Sequence, residues 1–403
     1  MFAPQPKPTL LRRALFLVAA LWVCLFHPSP SHAQEAPQTP RELTVDLYTI
    51  GPGNYLYARH GHSALCVTGG PYPEGRCYDY GVPDVQGEIT MLWGTLRGEA
   101  LFVVVGVDQR TLVNAFASQE RQIQKQQLPL SQDEAQRILA ILDDAVKNKE
   151  RYAYHPSTAN CTTKIRDAID TATNGKLHDV KSPPSVPRYR EILEDGLRGR
   201  VPELAVVALF SGTTIERPPN AWEHLFHPPR LRDAVEERFG VKPEMVYTWP
   251  QASVQVGTLG GRLFWVAVGG LLAILAWRAR GVSEKRTREL GTLGFILGLL
   301  GFFIWFAAIA FVYPELSHNW VLGVLWPTDF ALKYLPLKHL RRYLIARLGV
   351  ILPLGILSLA GIIAQPIFSI VLFAALPFAV TLRALNMPAP ASKSTPTAPS
   401  TSS

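Results

Sequence analysis

A series of long apolar stretches fills the last third of the chain and restricts its fold more than any other feature. Four of these stretches have the composition of membrane spans, namely Leu263–Trp277, Leu290–Tyr313, Leu348–Ile363 and Ile367–Leu382. A fifth stretch, Asn319–Leu337, is apolar apart from Asp329 and Lys333, whose spacing would let them pair on a helix. The sequence therefore predicts an all-α transmembrane bundle at this end of the chain.

Two clusters of basic residues predict the orientation of the bundle. The first cluster is Arg278, Arg280, Lys285, Arg286 and Arg288, and the second is Lys338, His339, Arg341, Arg342 and Arg347. Because basic residues that flank spans remain in the cytoplasm, both clusters belong on the inner side. Asn319–Leu337 should then cross, which gives a bundle of about five helices. The alternative is a partly re-entrant segment, because Pro327, Asp329 and Lys333 are unfavourable in a simple span. Much of the excess charge behind the net +8 lies next to the membrane and faces anionic lipid, so it requires no nucleic acid partner.

The N-terminus has the features of an export signal. Arg12 and Arg13 precede an apolar run, and Ser31-His32-Ala33 offers small residues for cleavage. The predicted organisation is a signal peptide (1–33), a periplasmic domain (34–258), a transmembrane domain (259–386) and a disordered cytoplasmic tail (387–403). We therefore expect a multi-pass protein of the bacterial inner membrane.

Alternating and apolar runs predict five strands in the exported domain. They are Glu42–Tyr48, His62–Thr68, Cys77–Tyr80, Leu101–Val107 and Arg121–Leu128. A capping box at Ser131 to Glu134 predicts one helix, and a second helix follows Asn160. Between Lys181 and Leu231 the chain is rich in proline, and its pattern predicts no definite element. The domain is therefore of the α+β class.

Cys161 is the cysteine for which the sequence predicts no disulfide partner. Cys24 lies in the export signal, while Cys66 and Cys77 flank a turn and are candidates for a disulfide in an oxidising periplasm. Cys161 lies where a helix begins, and a thiol there is biased towards thiolate by the helix dipole. The alternative is a buried structural thiol, because free cysteine is often buried.

A strand register supplies partners for this thiol. If Cys66 faces Cys77 across an antiparallel pair, His62 faces Gly81, and Asp79 lies diagonal to His62 on the same face. His62 is then the predicted base for Cys161 and Asp79 its orienting group, with His60 as the competing base. A zinc site at His60 and His62, completed by Asp79 or His155, is a further alternative. The leading interpretation implies no metal and no cofactor.

Three motifs resemble the periplasmic domain of the Lnb-type lipoprotein N-acyltransferases. They are Gly61-His62-Ser63-Ala64-Leu65, Tyr78-Asp79-Tyr80-Gly81, and Asn160-Cys161-Thr162-Thr163-Lys164-Ile165-Arg166-Asp167. The resemblance implies a circularly permuted papain/NlpC-like fold, with Cys161 as nucleophile and His62 as base. Asp79 stands where the family pattern leads us to expect Asn.

The resemblance and the predicted spans together imply acyl transfer at the outer face of the membrane. A phospholipid would donate an acyl chain to Cys161, and a diacylated lipoprotein would accept it. Asn160 or Tyr154 would help to hold the oxyanion, and His318 and Asn319 would bind the lipid or simply anchor the interface. Two alternatives remain: a membrane-tethered NlpC-type peptidase or amidase acting on peptidoglycan, and a non-catalytic envelope scaffold.

Overall fold

The computed structural model describes residues 42–84, 87–249, 257–278 and 283–385. The predicted signal peptide and cytoplasmic tail lie outside these residues. Within them the chain forms an antiparallel sheet followed by apolar helices, so the predicted α+β class is confirmed.

A seven-stranded antiparallel sheet, in the order β6-β4-β3-β2-β1-β5-β7, is the centre of the first part. Its strands are β1 (Thr44–Ile50), β2 (His62–Gly69), β3 (Tyr72–Pro83), β4 (Leu101–Asp108), β5 (Ile123–Leu128), β6 (Arg151–Ala153) and β7 (Glu244–Tyr247). All five predicted strands are present with shifted ends, and the two short outer strands β6 and β7 are additions. Strands of three or four residues carry too little periodicity to be recognised from sequence.

The register of β2 and β3 is the one that the cysteine spacing predicts. Cys66 lies opposite Cys77, and a disulfide joins them. Because side chains alternate along a strand, the disulfide faces the sheet side that also carries Tyr48 and Ile50. The opposite side holds the larger core, which includes Leu47.

Helices cover both sides of this sheet. Those of the first part are α1 (Glu88–Leu96), α2 (Gln109–Ala117), α3 (Gln132–Lys147), α4 (Cys161–Ala172), α5 (Tyr189–Gly196), α6 (Val201–Phe210), α7 (Ala221–His224) and α8 (Pro228–Phe239). The predicted capping box at the start of α3 is present. Ile138 of α3 and Ile165 of α4 pack in the larger core, whereas Leu112 of α2 covers the disulfide side.

Four helices of the second part are long and apolar enough to cross a membrane. They are α9 (Gly260–Arg278), α10 (Ser283–Ala310), α13 (Leu337–Leu359) and α14 (Phe368–Leu385), and two short helices, α11 (Pro314–Ser317) and α12 (Val321–Val324), lie between α10 and α13. The second basic cluster, Lys338 to Arg347, forms the first turns of α13, whereas the predicted span began after it at Leu348. Helix α6 also belongs to this packing unit, because Ala205 and Leu209 share its apolar core.

The fifth predicted span, Asn319–Leu337, is not a continuous helix, which corrects the prediction of five. It consists of α12 and a 3-10 segment, Pro327–Lys333, joined by two extended residues, Leu325 and Trp326. Proline lacks an N–H and disfavours a helical residue before it, so the helix cannot continue through this point.

The broken segment runs beside α10 in the opposite direction. Glycines of α10 allow this close approach: an ideal Cβ at Gly301 would lie 2.5 Å from the carbonyl carbon of Trp326, and one at Gly291 would lie 3.1 Å from Lys333 Cδ. Asp329 does not pair with Lys333. It pairs with Arg347 of α13 (Nε–Oδ1 3.0 Å), and both side chains are fully buried.

Candidate active site

The first turn of α4 positions Cys161. Asn160 caps the helix: its Oδ1 accepts from the Thr163 N–H (2.9 Å), and its own N–H donates to Thr163 Oγ1 (2.8 Å). Its side-chain amide donates to the carbonyls of Pro156 (2.7 Å) and Phe226 (3.1 Å). Because both amide hydrogens are engaged, Asn160 orients the helix. The predicted use of its side chain as an oxyanion donor would require one of these bonds to break, and it stays a prediction.

His62 and Asp79 form an ion pair beside this helix. His62 Nε2 lies 2.9 Å from Asp79 Oδ1, and the side chains are 12% and 17% exposed. The angle at this contact is poor for a hydrogen bond, so attraction between charges dominates it. Asp79 Oδ1 also accepts from the Gly81 N–H (2.6 Å).

Gly81 makes room for the imidazole. An ideal Cβ at this position would lie 2.6 Å from His62 Cε1 and 3.1 Å from Asp79 Oδ1. No real Cβ approaches a ring atom so closely, so a larger residue would displace His62 from Asp79.

The Cys161 thiol and the His62 imidazole lie close enough to interact electrostatically. Burial raises the pKa of Cys161, but the charge of His62 and the Ser63 backbone N–H outweigh burial and lower it. Burial lowers the pKa of His62, yet the charges of Cys161 and Asp79 raise it to about 10. Each group therefore stabilises the charged form of the other, the thiolate of Cys161 and the imidazolium of His62.

Backbone N–H groups surround the sulfur. The N–H groups at the start of a helix have no intrahelical partner, and the Asn160 cap takes up that of Thr163 alone. Thr162 Oγ1 donates to Ser63 Oγ (3.2 Å) and so joins α4 to β2 beside the thiol. Cys161 and Thr162 thus present N–H groups where a tetrahedral oxyanion would form.

Tyr154 lies close enough to Cys161 for the two to interact electrostatically. Burial first, and then the Cys161 charge, raise the pKa of Tyr154 above its usual range, so the phenol keeps its proton. Its ring stacks on Phe102 with centroids 4.5 Å apart. This environment is compatible with the predicted role of Tyr154 as a hydrogen-bond donor.

Arg121 is a site residue that the sequence did not reveal. It is buried, its Nε donates to the Gly51 carbonyl (2.9 Å), and it interacts with the charges of Cys161 and Asp79. Burial lowers its pKa to about 10, so it remains protonated at neutral pH. Its Nη2 is buried without a hydrogen-bond partner among the described residues. Arg121 thus places a positive charge near Cys161 and Asp79. Its guanidinium lies over the Phe116 ring (4.8 Å).

His60 does not compete for the thiol. Its ring packs against Gly196 and lies 6.3 Å from that of His227. Burial and the Arg59 charge lower the pKa of His60 below its usual value. In the part of the chain that the structure describes, no three His, Cys, Asp or Glu side chains converge on a metal position.

His318 and Asn319, the two residues predicted to contact lipid, differ in their exposure. Asn319 is buried and fully engaged, donating to the Leu209 carbonyl (3.0 Å) and accepting from Val321 N–H (2.9 Å) and Gln365 Nε2 (2.8 Å). It joins three segments of the bundle, and the lipid contact predicted for it stays a prediction. His318 is exposed at the same end of the bundle, and its carbonyl accepts from the Thr213 N–H (2.7 Å).

The site lies beside the end of a membrane helix. Tyr313, three residues beyond α10, donates its hydroxyl to the Tyr154 carbonyl (3.4 Å), and its ring lies 5.2 Å from that of His155. Trp93 of α1 meets Phe311 edge-on at 5.4 Å. The segment that leads to the Cys161 helix thus rests on the terminus of α10.

Comparison with known proteins agrees with this architecture. Residues 33–194 match a family model described as the Lnb N-terminal periplasmic domain. Searches of curated proteins and of solved structures gave no match. With the four apolar helices, the family match indicates a membrane protein with a periplasmic domain. The resemblance in the three sequence motifs is therefore confirmed, and residues 33–194 of this chain belong to the Lnb family of N-terminal periplasmic domains.

Proposed function

We propose that this protein is a membrane-anchored acyltransferase that transfers an acyl chain from a phospholipid, through a Cys161 thioester, to the N-terminus of a lipoprotein. The observation that carries the proposal is the free thiol of Cys161 near the His62–Asp79 ion pair, beside the end of α10. A nucleophile held there meets acyl esters that reside in the bilayer. A soluble substrate would not require four membrane helices.

In the first half-reaction the Cys161 thiolate attacks the ester carbonyl of the phospholipid. The helix N–H groups and Tyr154 stabilise the oxyanion. The C–O bond of the ester then breaks, the leaving alkoxide takes the proton of the His62 imidazolium, and a lysophospholipid departs. The products are an acyl thioester on Cys161 and a neutral His62.

In the second half-reaction the neutral α-amine of a diacylated lipoprotein attacks the thioester. His62 accepts the proton of the amine as the C–N bond forms, and the thiolate leaves. Asp79 stabilises the imidazolium that results, because its carboxylate lies 2.9 Å from Nε2. The site returns to its starting charge state, and the net reaction converts an ester and an amine into a lysophospholipid and an amide.

Expression in a bacterium depleted of its own lipoprotein N-acyltransferase tests this proposal. Mass spectrometry of lipoprotein N-termini should show N-acylated peptides with the wild-type chain and none with Cys161→Ala at equal abundance. Unmodified N-termini with a well-expressed wild type would contradict the proposal. Cleavage of purified muropeptides by the wild type would instead support the peptidoglycan hydrolase alternative, and equal function of both forms would support the scaffold alternative.

A further inference from the structure

Three consecutive large side chains project from the loop that leads to His62. Tyr55, Leu56 and Tyr57 are 57%, 55% and 66% exposed, and the two tyrosine rings stack with centroids 5.6 Å apart. We call these three residues the aromatic lip. Contiguous exposed apolar groups of this kind mark interaction surfaces more often than isolated ones do.

The lip is attached to the helix that leads into the membrane bundle. Arg200, the residue before α6, donates to the Asn54 carbonyl (3.0 Å) next to the lip. Helix α6 packs directly on the first membrane helix, since an ideal Cβ at Gly261 would lie 2.2 Å from the Leu204 carbonyl carbon. Val201 contacts the preceding residue, Gly260. The lip therefore lies close to the start of α9.

An ion pair lies next to the first exposed apolar residue of α9. Arg262, near the start of α9, pairs with Glu194 of α5 (2.8 Å), while Leu263 directly after it is exposed, as a lipid-facing residue would be. Arg59, two residues after the lip, donates to the carbonyl of Gly196 in the same helix α5 (3.0 Å). The lip is thus tethered at the level where the polar surface gives way to the apolar one. Tyrosines are enriched at that level in membrane proteins.

The lip is also connected to the catalytic residues. The side chain of Arg121, whose charge acts on Cys161 and Asp79, packs against Gly53, two residues before Tyr55. Arg121 in turn holds the loop before the lip through the Gly51 carbonyl (2.9 Å). A lipid chain that touched the lip would lie at the entrance to the site.

We propose that the aromatic lip inserts among the phospholipids of the membrane that α9 enters and guides the acyl ester towards Cys161. The proposal rests on the proposed function for its second part, since it identifies the donor as a lipid still in the bilayer. The occupant is membrane lipid because the lip is continuous, through Arg200 and α6, with helix α9, whose exposed side chains include the apolar Leu263 and Leu271.

Photocrosslinking tests the membrane contact without requiring activity. Benzoylphenylalanine replaces Tyr57 in the full chain in phospholipid vesicles, and the control replaces Glu74. Glu74 is exposed on β3, near the β2–β3 turn, whereas His62 begins β2 at the other end of the hairpin. We expect a phospholipid adduct from position 57 and none from position 74. An adduct only with protein, or no adduct, at position 57 would overturn the proposal.

A triple variant tests the guiding role. Tyr55→Ser, Leu56→Ser and Tyr57→Ser together should lower acylation of Cys161 by bilayer phospholipid by about tenfold or more, because positioning is lost. Acylation by a water-soluble short-chain ester, and alkylation by iodoacetamide, should change less than about twofold, because the thiolate is intact. Unchanged acylation from the bilayer would refute the guiding role. If wild-type Cys161 accepted no acyl group from any ester, the proposed function would fail, while the crosslink would still report on the lip.

Discussion

Asp79→Asn is the substitution whose effect follows most directly from the charges of the site. The change keeps the size of the side chain but removes the carboxylate that lies 2.9 Å from His62 Nε2. An opposite charge at such a distance shifts a pKa by about 1–3 units. The pKa of His62, raised to about 10 in the wild type, should therefore fall to about 7–9 in the variant. That shift corresponds to about 1.4–4 kcal/mol of lost imidazolium stabilisation.

Two alkylating reagents measure this pKa. Iodoacetamide reports the thiolate alone, whereas iodoacetate is negatively charged and is also attracted to an imidazolium. The rate with iodoacetate divided by the rate with iodoacetamide should fall at Cys161 as pH rises through the His62 pKa. The midpoint should lie near pH 10 in the wild type and at about pH 7–9 in Asp79→Asn. Asp84→Asn is a matched control. Asp84 directly follows β3, the strand that carries Asp79, but it pairs with Arg151 (2.8 Å). Identical midpoints in wild type and Asp79→Asn would refute the assigned role of Asp79.

Stability should depend on pH with the same sign. A group whose pKa is raised on folding stabilises the folded state fully below its unfolded value, here 6.5, and this stabilisation disappears as pH rises through the folded value of about 10. Folding also lowers the pKa of Cys161 from 9.0, so below pH 9.0 the proton that His62 gains is offset by the proton that the thiol loses. The melting temperature of the wild type should therefore decline more steeply than that of His62→Gln chiefly between pH 9.0 and about 10. Parallel declines in both proteins would contradict the shift.

Three further substitutions test other parts of the structure. Gly81→Ala should lower the acylation rate by about tenfold or more, because the new Cβ displaces the imidazole, while the fold detected by circular dichroism remains. Removal of the disulfide by Cys66→Ala with Cys77→Ala should destabilise the chain by about 2–3 kcal/mol, as its short loop implies, and lower its thermal unfolding temperature in detergent. Asp329→Asn should cost about 3–5 kcal/mol, because Arg347 would keep a buried charge without its partner; a melting temperature equal to that of the wild type would contradict this.

The strands around the site were predictable from sequence because local signals agree there. The two cysteines define one register, and a strand has a fixed side-chain alternation, so the positions of His62 and Asp79 follow. The Asn160 side chain is a strong helix cap, which places Cys161 in the first turn of α4. The hydrogen bond that the Asn160 side-chain amide donates to the Phe226 carbonyl could not be predicted, because the two residues are far apart in sequence.

The contribution of Arg121 could not be recognised from the chain order. It lies 42 residues after Asp79 and 40 residues before Cys161 in sequence, and a lone arginine before a strand usually indicates an exposed strand end. The loop at Gly51 and the Phe116 ring together bury the guanidinium. Contacts of this range depend on the assembled sheet and leave no local pattern.

The membrane part shows the limit of apolar content as a signal. Asn319–Leu337 has the composition of a span, and its charges were expected to pair along one helix. The glycines of α10 and the position of Pro327 favour a broken segment instead, and Arg347 on another helix supplies the partner of Asp329. Charge pairing between helices depends on their packing, which composition does not encode.

Trapping of the acyl-enzyme tests the central claim most directly. The full chain, reconstituted with phospholipid but without any lipoprotein, should accumulate the intermediate because the acceptor amine is missing. Intact-protein mass spectrometry should detect the mass of one acyl chain on the peptide that contains Cys161, and hydroxylamine should remove it, as expected for a thioester. Absence of the adduct from a well-folded wild type, or the same adduct in Cys161→Ala, would contradict the assignment of Cys161 as the nucleophile.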